Sequence, residues 1–223
     1  MKSEANNSEY FFKIVMSLII FDLDNTLVHS QIDFAGMRAA IGDLLRKQNV
    51  TQENNEQLRR FSVGEMIARA AAQNAAIEKV AWNLVLDFER EGMAKATVES
   101  DAAQTLKVLL EREFKLAILT NNARAATMDA LKKFDLLHYF DVVLSRDEVP
   151  MKPDPGGILH AKSTFKAEQV FHVGDAWLDG VAANRADVPF IAFRPLPEAF
   201  KRREIQVWNT VQYLSELPEL ICA

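Results

Sequence analysis

Apolar residues occur along this chain in short runs that show no alternation with polar residues. Runs of this kind are typical of strands that are covered on both faces of a parallel sheet. They predict strands at residues 18–21, 115–119, 141–144, 170–173 and 189–193. The segments between the later strands favour helices, at about residues 101–113, 123–134, 155–165 and 178–186. This order of strands and helices predicts an α/β fold with a doubly wound parallel sheet.

Residues 30–97 interrupt the alternation. The stretch is rich in Ala, Leu, Arg, Glu and Gln, and its apolar residues recur at helical spacing, as at Met37 and Ile41. It predicts a helical insertion after the first strand, with turns at Gly64, at Gly92 and in the polar segment 51–57. The predicted organisation is an N-terminal extension at 1–16, an α/β core at 17–29 and 98–223, and the insertion at 30–97.

The first residues of the chain are polar and without periodicity, and Met16 directly precedes the first predicted strand. We therefore expect residues 1–15 to contribute little to activity, and Met16 to be an alternative start. The apolar run from Phe11 to Phe21 contains a lysine and is shorter than the ~18 residues that span a bilayer. No small-residue cleavage site follows it, so we expect neither a membrane span nor a secretory signal.

Composition narrows the function classes. A length of 223 residues with 49% hydrophobic residues is sufficient for one domain that carries an insertion. The 26 Lys and Arg residues do not exceed the 31 Asp and Glu residues, which argues against a nucleic-acid-binding protein. Because Cys222 is the only cysteine, no intrachain disulfide can form, and a cytoplasmic location is predicted.

Polar motifs follow four of the predicted strands or their loops. The first strand ends in FDLDNTL, the second is followed by Thr120 and Asn121, a later loop contains Lys152 before a proline, and GDAWLD follows the strand at 170–173. Each residue alone has a simpler explanation, such as a helix cap, a turn or a solvated lysine. The carboxyl ends of parallel strands meet at one edge of the sheet, where ligands of open α/β sheets bind. The set therefore predicts one functional site.

These motifs resemble those of the haloacid-dehalogenase-like hydrolase superfamily, in its phosphatase branch. The resemblance covers residues 17–193 and is carried by FDLDNTL, LTNN, KPDP and GDAWLDGVAAN. The helical insertion is similar to the cap that this family places between its first two motifs. The resemblance implies Mg²⁺-dependent phosphoryl transfer through an aspartyl-phosphate intermediate.

The resemblance implies a role for each matching residue, and the chemistry of the side chains agrees with it. Asp22 is the candidate nucleophile, and Asp24 the general acid that later acts as general base. Mg²⁺, which prefers oxygen ligands, is expected to bind the Asp22 carboxylate, the Asp24 main-chain carbonyl and Asp175.

The remaining motif residues are expected to support the metal site or to bind the phosphate. Asp179 orients the shell around the metal, through water. Lys152 bridges the nucleophile and the phosphate. Thr120 and Asn121 offer a hydroxyl group and a main-chain N–H to the phosphate at a helix N-terminus.

The substrate is expected to be a small phosphorylated metabolite, with a preference for the phosphoglycolate type. A nucleotide monophosphate phosphatase, a phosphomutase and a non-catalytic binding protein of the same fold are the alternatives. The candidates for substrate selection are His29 and arginines of the insertion that could otherwise form a solvated face: Arg38, Arg59, Arg60 and Arg69. The oligomeric state does not follow from the sequence.

Overall fold

A computed structural model gives the structure of residues 16–222. Apart from Met16, the predicted N-terminal extension lies outside the described residues, and the prediction about it remains a prediction. The described strands are, in chain order, β1 (Ser17–Phe21), β2 (Val28–His29), β3 (Thr97–Val98), β4 (Lys115–Leu119), β5 (Val142–Leu144), β6 (Gln169–Gly174), β7 (Phe190–Phe193) and β8 (Asn209–Val211).

The helices flank these strands and alternate with them after residue 100. They are α1 (Phe34–Lys47), α2 (Asn55–Leu58), α3 (Val63–Gln73), α4 (Ala75–Ala94), α5 (Ala102–Glu111), α6 (Arg124–Lys133), α7 (Gly156–Phe165), α8 (Trp177–Arg185), α9 (Pro197–Lys201) and α10 (Leu217–Cys222). Within residues 16–222, no helix combines the length and the apolar character that crossing a bilayer requires.

The central sheet has six parallel strands in the order β5-β4-β1-β6-β7-β8. The predicted α/β fold with a parallel sheet is confirmed, and the five predicted strands correspond to β1, β4, β5, β6 and β7. The edge strand β8 was not predicted, because it is short and two of its three residues are exposed, which leaves no apolar run to recognise. The chain leaves β1 for strands on one side and later returns to its other side, which makes β1 the point where the strand order reverses.

Strand β1 is buried on both faces, as its uninterrupted apolar sequence predicts. Ile19 and Phe21 face one hydrophobic cluster, which also contains apolar residues of α1, α3 and α4. Leu18 and Ile20 face the other cluster, which contains residues of α7 and α8. Helices on both sides thus fix the position of the residue that follows β1.

Four helices, α1 to α4, lie between the short strands β2 and β3. These strands pair antiparallel, with Val28 opposite Val98, so the segment leaves and re-enters the main sheet region at adjacent points. Side chains cap the N-termini of two of these helices. At α1, Asp33 accepts a hydrogen bond from the Gly36 N–H, and at α3, Ser62 forms a reciprocal cap with Glu65.

The predicted turns at Gly64 and Gly92 are wrong, because both glycines lie inside helices, α3 and α4 respectively. Gly92 is required by packing instead: a Cβ there would lie 2.5 Å from the backbone N and Cα of Ile32. Segment 51–57 is a loop only as far as residue 54, since α2 begins at Asn55.

We predict that Gly92→Ala lowers the free energy of unfolding by about 1–3 kcal/mol, because the Ile32 backbone must move to make room for the methyl group. Gly64→Ala is the matched control. The atom nearest to its Cβ would be the flexible end of Met151, 2.8 Å away, and alanine favours a helix over glycine by up to about 1 kcal/mol. Urea unfolding measures both values. Equal stabilities of the two variants would contradict the packing role assigned to Gly92.

Candidate active site

Motif residues that are distant in sequence meet at the carboxyl edge of the sheet. Asp22 directly follows β1, Thr120 directly follows β4, and Asp175 directly follows β6. A cavity of about 170 Å³ opens at this edge. It is lined by all the motif residues that the sequence singled out: Asp22, Asp24, Thr120, Asn121, Lys152, Asp175 and Asp179.

Lys152 lies at the centre of the cluster and is 5% exposed. Its ammonium group donates to Asp22 Oδ1 at 2.5 Å, to Asp179 Oδ1 at 2.6 Å and to the main-chain carbonyl of Leu119 at 2.9 Å. Burial works against the charged form, but Asp179 and Asp22 raise the pKa of Lys152 above its ordinary value. The lysine therefore remains a cation that holds two carboxylates.

Asp179 supports this lysine through both of its oxygens. Oδ1 accepts from Lys152, and Oδ2 accepts from the Ala176 N–H at 3.0 Å, at the start of α8. Burial alone would raise the pKa of Asp179, but Lys152 and His172 lower it below its ordinary value. The structure thus assigns Asp179 a direct ion pair with Lys152, a contact that the sequence did not predict.

His172 is a further member of the network that sequence reasoning missed. It is fully buried in β6, with Nδ1 3.0 Å from the carbonyl oxygen of Ile20 and Nε2 3.2 Å from Asp179 Oδ1. Both contacts are hydrogen bonds only when both ring nitrogens carry protons, because the carbonyl and the carboxylate are acceptors. The available signal was a lone polar residue inside an apolar strand, two positions before Gly174.

Asn121 positions the backbone of Lys152. Its side-chain amide donates to the Lys152 carbonyl at 2.9 Å and accepts from the Lys152 N–H at 2.8 Å. The neighbouring Thr120 hydroxyl accepts from the Asn122 N–H at 3.2 Å, so its own proton is available to another acceptor. The Asn121 side chain is therefore committed to the lysine, and its main chain is the part that can contact a ligand.

Carboxylates crowd the cavity. Burial raises the pKa of Asp22 to about 7, although Lys152 opposes the shift. Burial, together with the charges of Asp22 and Asp179, raises the pKa of Asp175 to about 8. Carboxylate oxygens of these three residues lie within 4.8 Å of one another. Such a set of oxygen donors with uncompensated negative charge can hold a hard divalent cation.

Asp24 has a different environment from Asp22. Its Oδ2 accepts from the Asn122 side-chain amide at 2.7 Å, whereas its buried Oδ1 has no hydrogen-bond partner among the described residues. Burial raises the pKa of Asp24 to about 6. This carboxyl group is thus held in place on one side and able to exchange a proton near neutral pH on the other. Asn122, which was not assigned a role from sequence, is the residue that orients it.

A buried ion pair joins the four-helix segment to the sheet. Glu89 of α4 pairs with Arg146, which follows β5, and also accepts from the Ala123 N–H at 3.1 Å. Burial raises the pKa of Glu89, although Arg146 opposes the shift. The arginine also covers the Trp82 ring, with its guanidinium carbon 4.7 Å from the ring centroid. No motif identified these residues, because their partners are distant in sequence.

The candidate selectivity residues are placed differently from one another. Arg38 lines a second cavity, which shares lining residues with the cavity of the motif residues. Arg60 and Arg69 pair with Glu53, and Arg59 is exposed. His29 pairs with Glu99. Only Arg38 of this set lines either of the two cavities.

Known proteins are similar to this chain in sequence and in fold. Residues 19–193 match the family described as haloacid dehalogenase-like hydrolase. A phosphoglycolate phosphatase of Vibrio cholerae is 32% identical over 187 residues, which are 77% of this chain and 81% of that protein. A phosphoglycolate phosphatase of Cereibacter sphaeroides is 26% identical over 213 residues, covering 91% and 96% of the two chains.

Solved structures of other proteins have the same fold as this chain. A HAD-superfamily hydrolase from Geobacter sulfurreducens is 21% identical, with a TM-score of 0.58 and coverage of 93% of this chain and 96% of that one. A protein of Clostridium acetobutylicum, described as a predicted phosphatase, is 21% identical with a TM-score of 0.69, covering 93% and 98%. The resemblance inferred from the motifs is confirmed. The chain belongs to the haloacid dehalogenase-like hydrolase family and is a phosphatase.

Proposed function

We propose that this phosphatase is Mg²⁺-dependent and hydrolyses the phosphomonoester of a small metabolite through an aspartyl-phosphate at Asp22. The observation that carries the proposal is the Asp22 carboxylate, which lies in the catalytic cavity and is held by Lys152 Nζ at 2.5 Å. A carboxylate in a fixed position can act as a covalent nucleophile and divide a difficult hydrolysis into two steps. The fixed ammonium group offsets part of the repulsion between this carboxylate and a phosphate dianion.

The donor set fits Mg²⁺. Asp22 and Asp175 offer carboxylate oxygens, both with pKa values raised by burial and by neighbouring negative charge. We assign the main-chain carbonyl of Asp24 as a third ligand, and Asp179 as the residue that supports the set from the lysine side. When bound, Mg²⁺ supplies positive charge to the phosphate oxygens and to Asp22.

In the first step, a carboxylate oxygen of Asp22 attacks phosphorus and the bond from phosphorus to the alcohol oxygen breaks. Asp24 in its protonated form gives its proton to the departing alkoxide. Its pKa of about 6 leaves part of the population protonated at neutral pH. Asn122 holds Oδ2, which leaves the unpartnered Oδ1 as the oxygen that carries the proton.

In the second step, Asp24 is a carboxylate and takes a proton from a water molecule. The water oxygen bonds to phosphorus, the bond to Asp22 breaks, and inorganic phosphate leaves. The Thr120 hydroxyl and the Asn121 main-chain N–H hold phosphate oxygens through both steps. Asn121 uses its main chain because its side chain is hydrogen-bonded to Lys152.

We assign residues 30–97 as a cap over this chemistry and the remainder of residues 17–223 as the catalytic core. Helix α4 approaches the core through Glu89, which bonds to Arg146 and to the main chain at Ala123. A cap in this position excludes water from the phosphate and contributes to substrate choice. Because relatives carry the name phosphoglycolate phosphatase, 2-phosphoglycolate is the first compound to assay.

We predict that Asp22→Asn lowers kcat for every phosphomonoester by at least about 10³-fold, because an amide is a poor nucleophile of the same shape. Brief incubation with ³²P-labelled substrate, followed by acid quench, should label the native protein and leave the variant unlabelled. Exposed Asp129 provides the matched control: Asp129→Asn should retain both activity and label. Near-normal turnover by Asp22→Asn in a folded protein would contradict the covalent mechanism.

A second prediction concerns pH and metal. Because the folded pKa values of Asp24, Asp22 and Asp175 are raised to about 6, 7 and 8, the folded state holds protons that the unfolded state has released. In EDTA, stability should therefore fall as the pH rises from about 5 to 8.5. Asp179 and Lys152 are charged in both states across this range and add no slope.

Mg²⁺ binds deprotonated carboxylates, so the stability gained on adding it should be larger at about pH 8 than at about pH 5.5. Urea unfolding in EDTA and in Mg²⁺ at both pH values measures this gain in stability. Titrating groups outside the site contribute equally in EDTA and in Mg²⁺, so their contributions cancel. Asp175→Asn should reduce the gain at both pH values. A Mg²⁺-induced gain in stability that is independent of pH, or that Asp175→Asn does not change, would contradict the assignment of the metal site.

A further inference from the structure

A second cavity, of about 380 Å³, lies beside the catalytic one. The two share five lining residues: Phe34, Asn121, Asn122, Lys152 and Leu178. The shared wall makes the second cavity the place that the remainder of a substrate would enter once its phosphate lies against Asp22. We call it the leaving-group cavity.

The leaving-group cavity is larger than a two-carbon acid requires. A water molecule occupies about 30 Å³ in the liquid, so the cavity has room for roughly a dozen waters. Its volume is within the range of sites that bind small organic molecules, about 300–1,000 Å³. A glycolate group would leave most of it unfilled.

Its walls are mostly apolar. Met37, Val63 and Val85 come from helices of residues 30–97, and Met151 comes from the loop before Lys152. Trp82 and Trp177 supply two aromatic walls. Apolar and aromatic surfaces of this kind are complementary to a hydrocarbon or ring-bearing group and not to a small polar acid.

Arg38 is the cation of this cavity that has no carboxylate partner among the described residues. Its Nε is buried without a hydrogen-bond partner, and burial lowers the pKa of its guanidinium group. The other two cations are committed, Arg146 to Glu89 and Lys152 to the catalytic carboxylates. Glu65, which also lines the cavity, accepts from the Ser62 N–H. An anionic group of a ligand would therefore pair with Arg38.

Arg38 lines the leaving-group cavity but not the cavity that contains Asp22. It is one helical turn beyond Phe34 on α1, about 5–6 Å along the helix, and Phe34 borders both cavities. A ligand with its phosphate at Asp22 would thus need a body between the phosphate and the group that meets Arg38.

We propose that the substrate is a phosphomonoester whose alcohol carries an apolar, ring-bearing body and, beyond it, a carboxylate or similar anionic group that pairs with Arg38. This inference rests on the proposed phosphatase function and specifies its substrate class. Arg38 is a specificity-determining residue in it, because it contacts the leaving group and not the reacting phosphorus.

The test compares kcat/KM for three esters of primary alcohols, so that the leaving oxygen is similar in each: 4-carboxybenzyl phosphate, benzyl phosphate and 2-phosphoglycolate. With Mg²⁺, the native protein should prefer 4-carboxybenzyl phosphate by at least about tenfold over either of the others. Arg38→Met should bring the ratio of 4-carboxybenzyl to benzyl phosphate close to one. Arg59→Met, a change at an exposed arginine of the same segment, should leave that ratio as it is.

Narrowing the cavity gives a second readout. Ala68 lies on α3, is exposed and borders the cavity, so Ala68→Phe should lower kcat/KM for both benzyl esters by more than it lowers the value for 2-phosphoglycolate. A higher kcat/KM for 2-phosphoglycolate than for 4-carboxybenzyl phosphate in the native protein would overturn the proposal. An unchanged ratio in Arg38→Met would also overturn it.

If the proposed phosphatase function is wrong, none of the three esters is hydrolysed, which differs from the outcomes that would overturn the substrate class. Calorimetric binding to the Asp22→Asn protein then decides the substrate class by itself. Tighter binding of 4-carboxybenzyl phosphate than of benzyl phosphate, lost when Arg38→Met is added, would support the assignment of the cavity. Equal binding of the two esters would overturn it.

Discussion

Two carboxylates, Asp22 and Asp179, are buried and share the ammonium group of Lys152. Removing water from such groups costs several kcal/mol for each ion, and only close contacts and hydrogen bonds offset that cost. Asn121 fixes the lysine backbone, and the Leu119 carbonyl accepts its third proton. Loss of one partner from such a buried pair typically costs about 3–5 kcal/mol. The position of the Asp22 carboxylate therefore depends on the lysine, and the position of the lysine depends on Asn121.

The parallel sheet makes this arrangement possible. Strand β1 lies between β4 and β6, so the residues that follow these three strands meet at one edge without a long loop. The residue after β1 is Asp22, which we propose as the nucleophile, and the loop after β4 holds the lysine. The turn after β6 supplies Asp175, and helix α8, which follows that turn, supplies Asp179. The four helices between β2 and β3 then enclose the other side of the site. The motif residues thus lie at the sheet edge, and residues of α1, α3 and α4 form much of the lining of the larger neighbouring cavity.

Much of the fold follows from local sequence, because a doubly covered strand needs an apolar run and such runs occur at β1, β4 and β6. The short edge strand β8 carries no such run, and Gly92 gave a false turn because close helix packing also selects glycine. The motif residues were recognised from their positions after strands. Contacts between distant side chains were not recognised: the ion pair of Asp179 with Lys152 has no local signature, and the lone polar residue in β6 does not by itself reveal which residue His172 contacts. The same limit explains why four arginines looked equivalent in sequence, although only Arg38 lines the leaving-group cavity.

The titration of Asp22 reports directly on its interaction with Lys152. Carboxyl ¹³C NMR of the metal-free protein, with the Asp22 signal assigned by its absence in Asp22→Asn, should give a pKa near 7. Since Lys152 opposes the upward shift caused by burial, Lys152→Met should raise that pKa further, by at least about one unit, which corresponds to about 1.4 kcal/mol. An Asp22 pKa that is unchanged in a folded Lys152→Met protein would contradict the claim that this lysine maintains the nucleophile as a carboxylate.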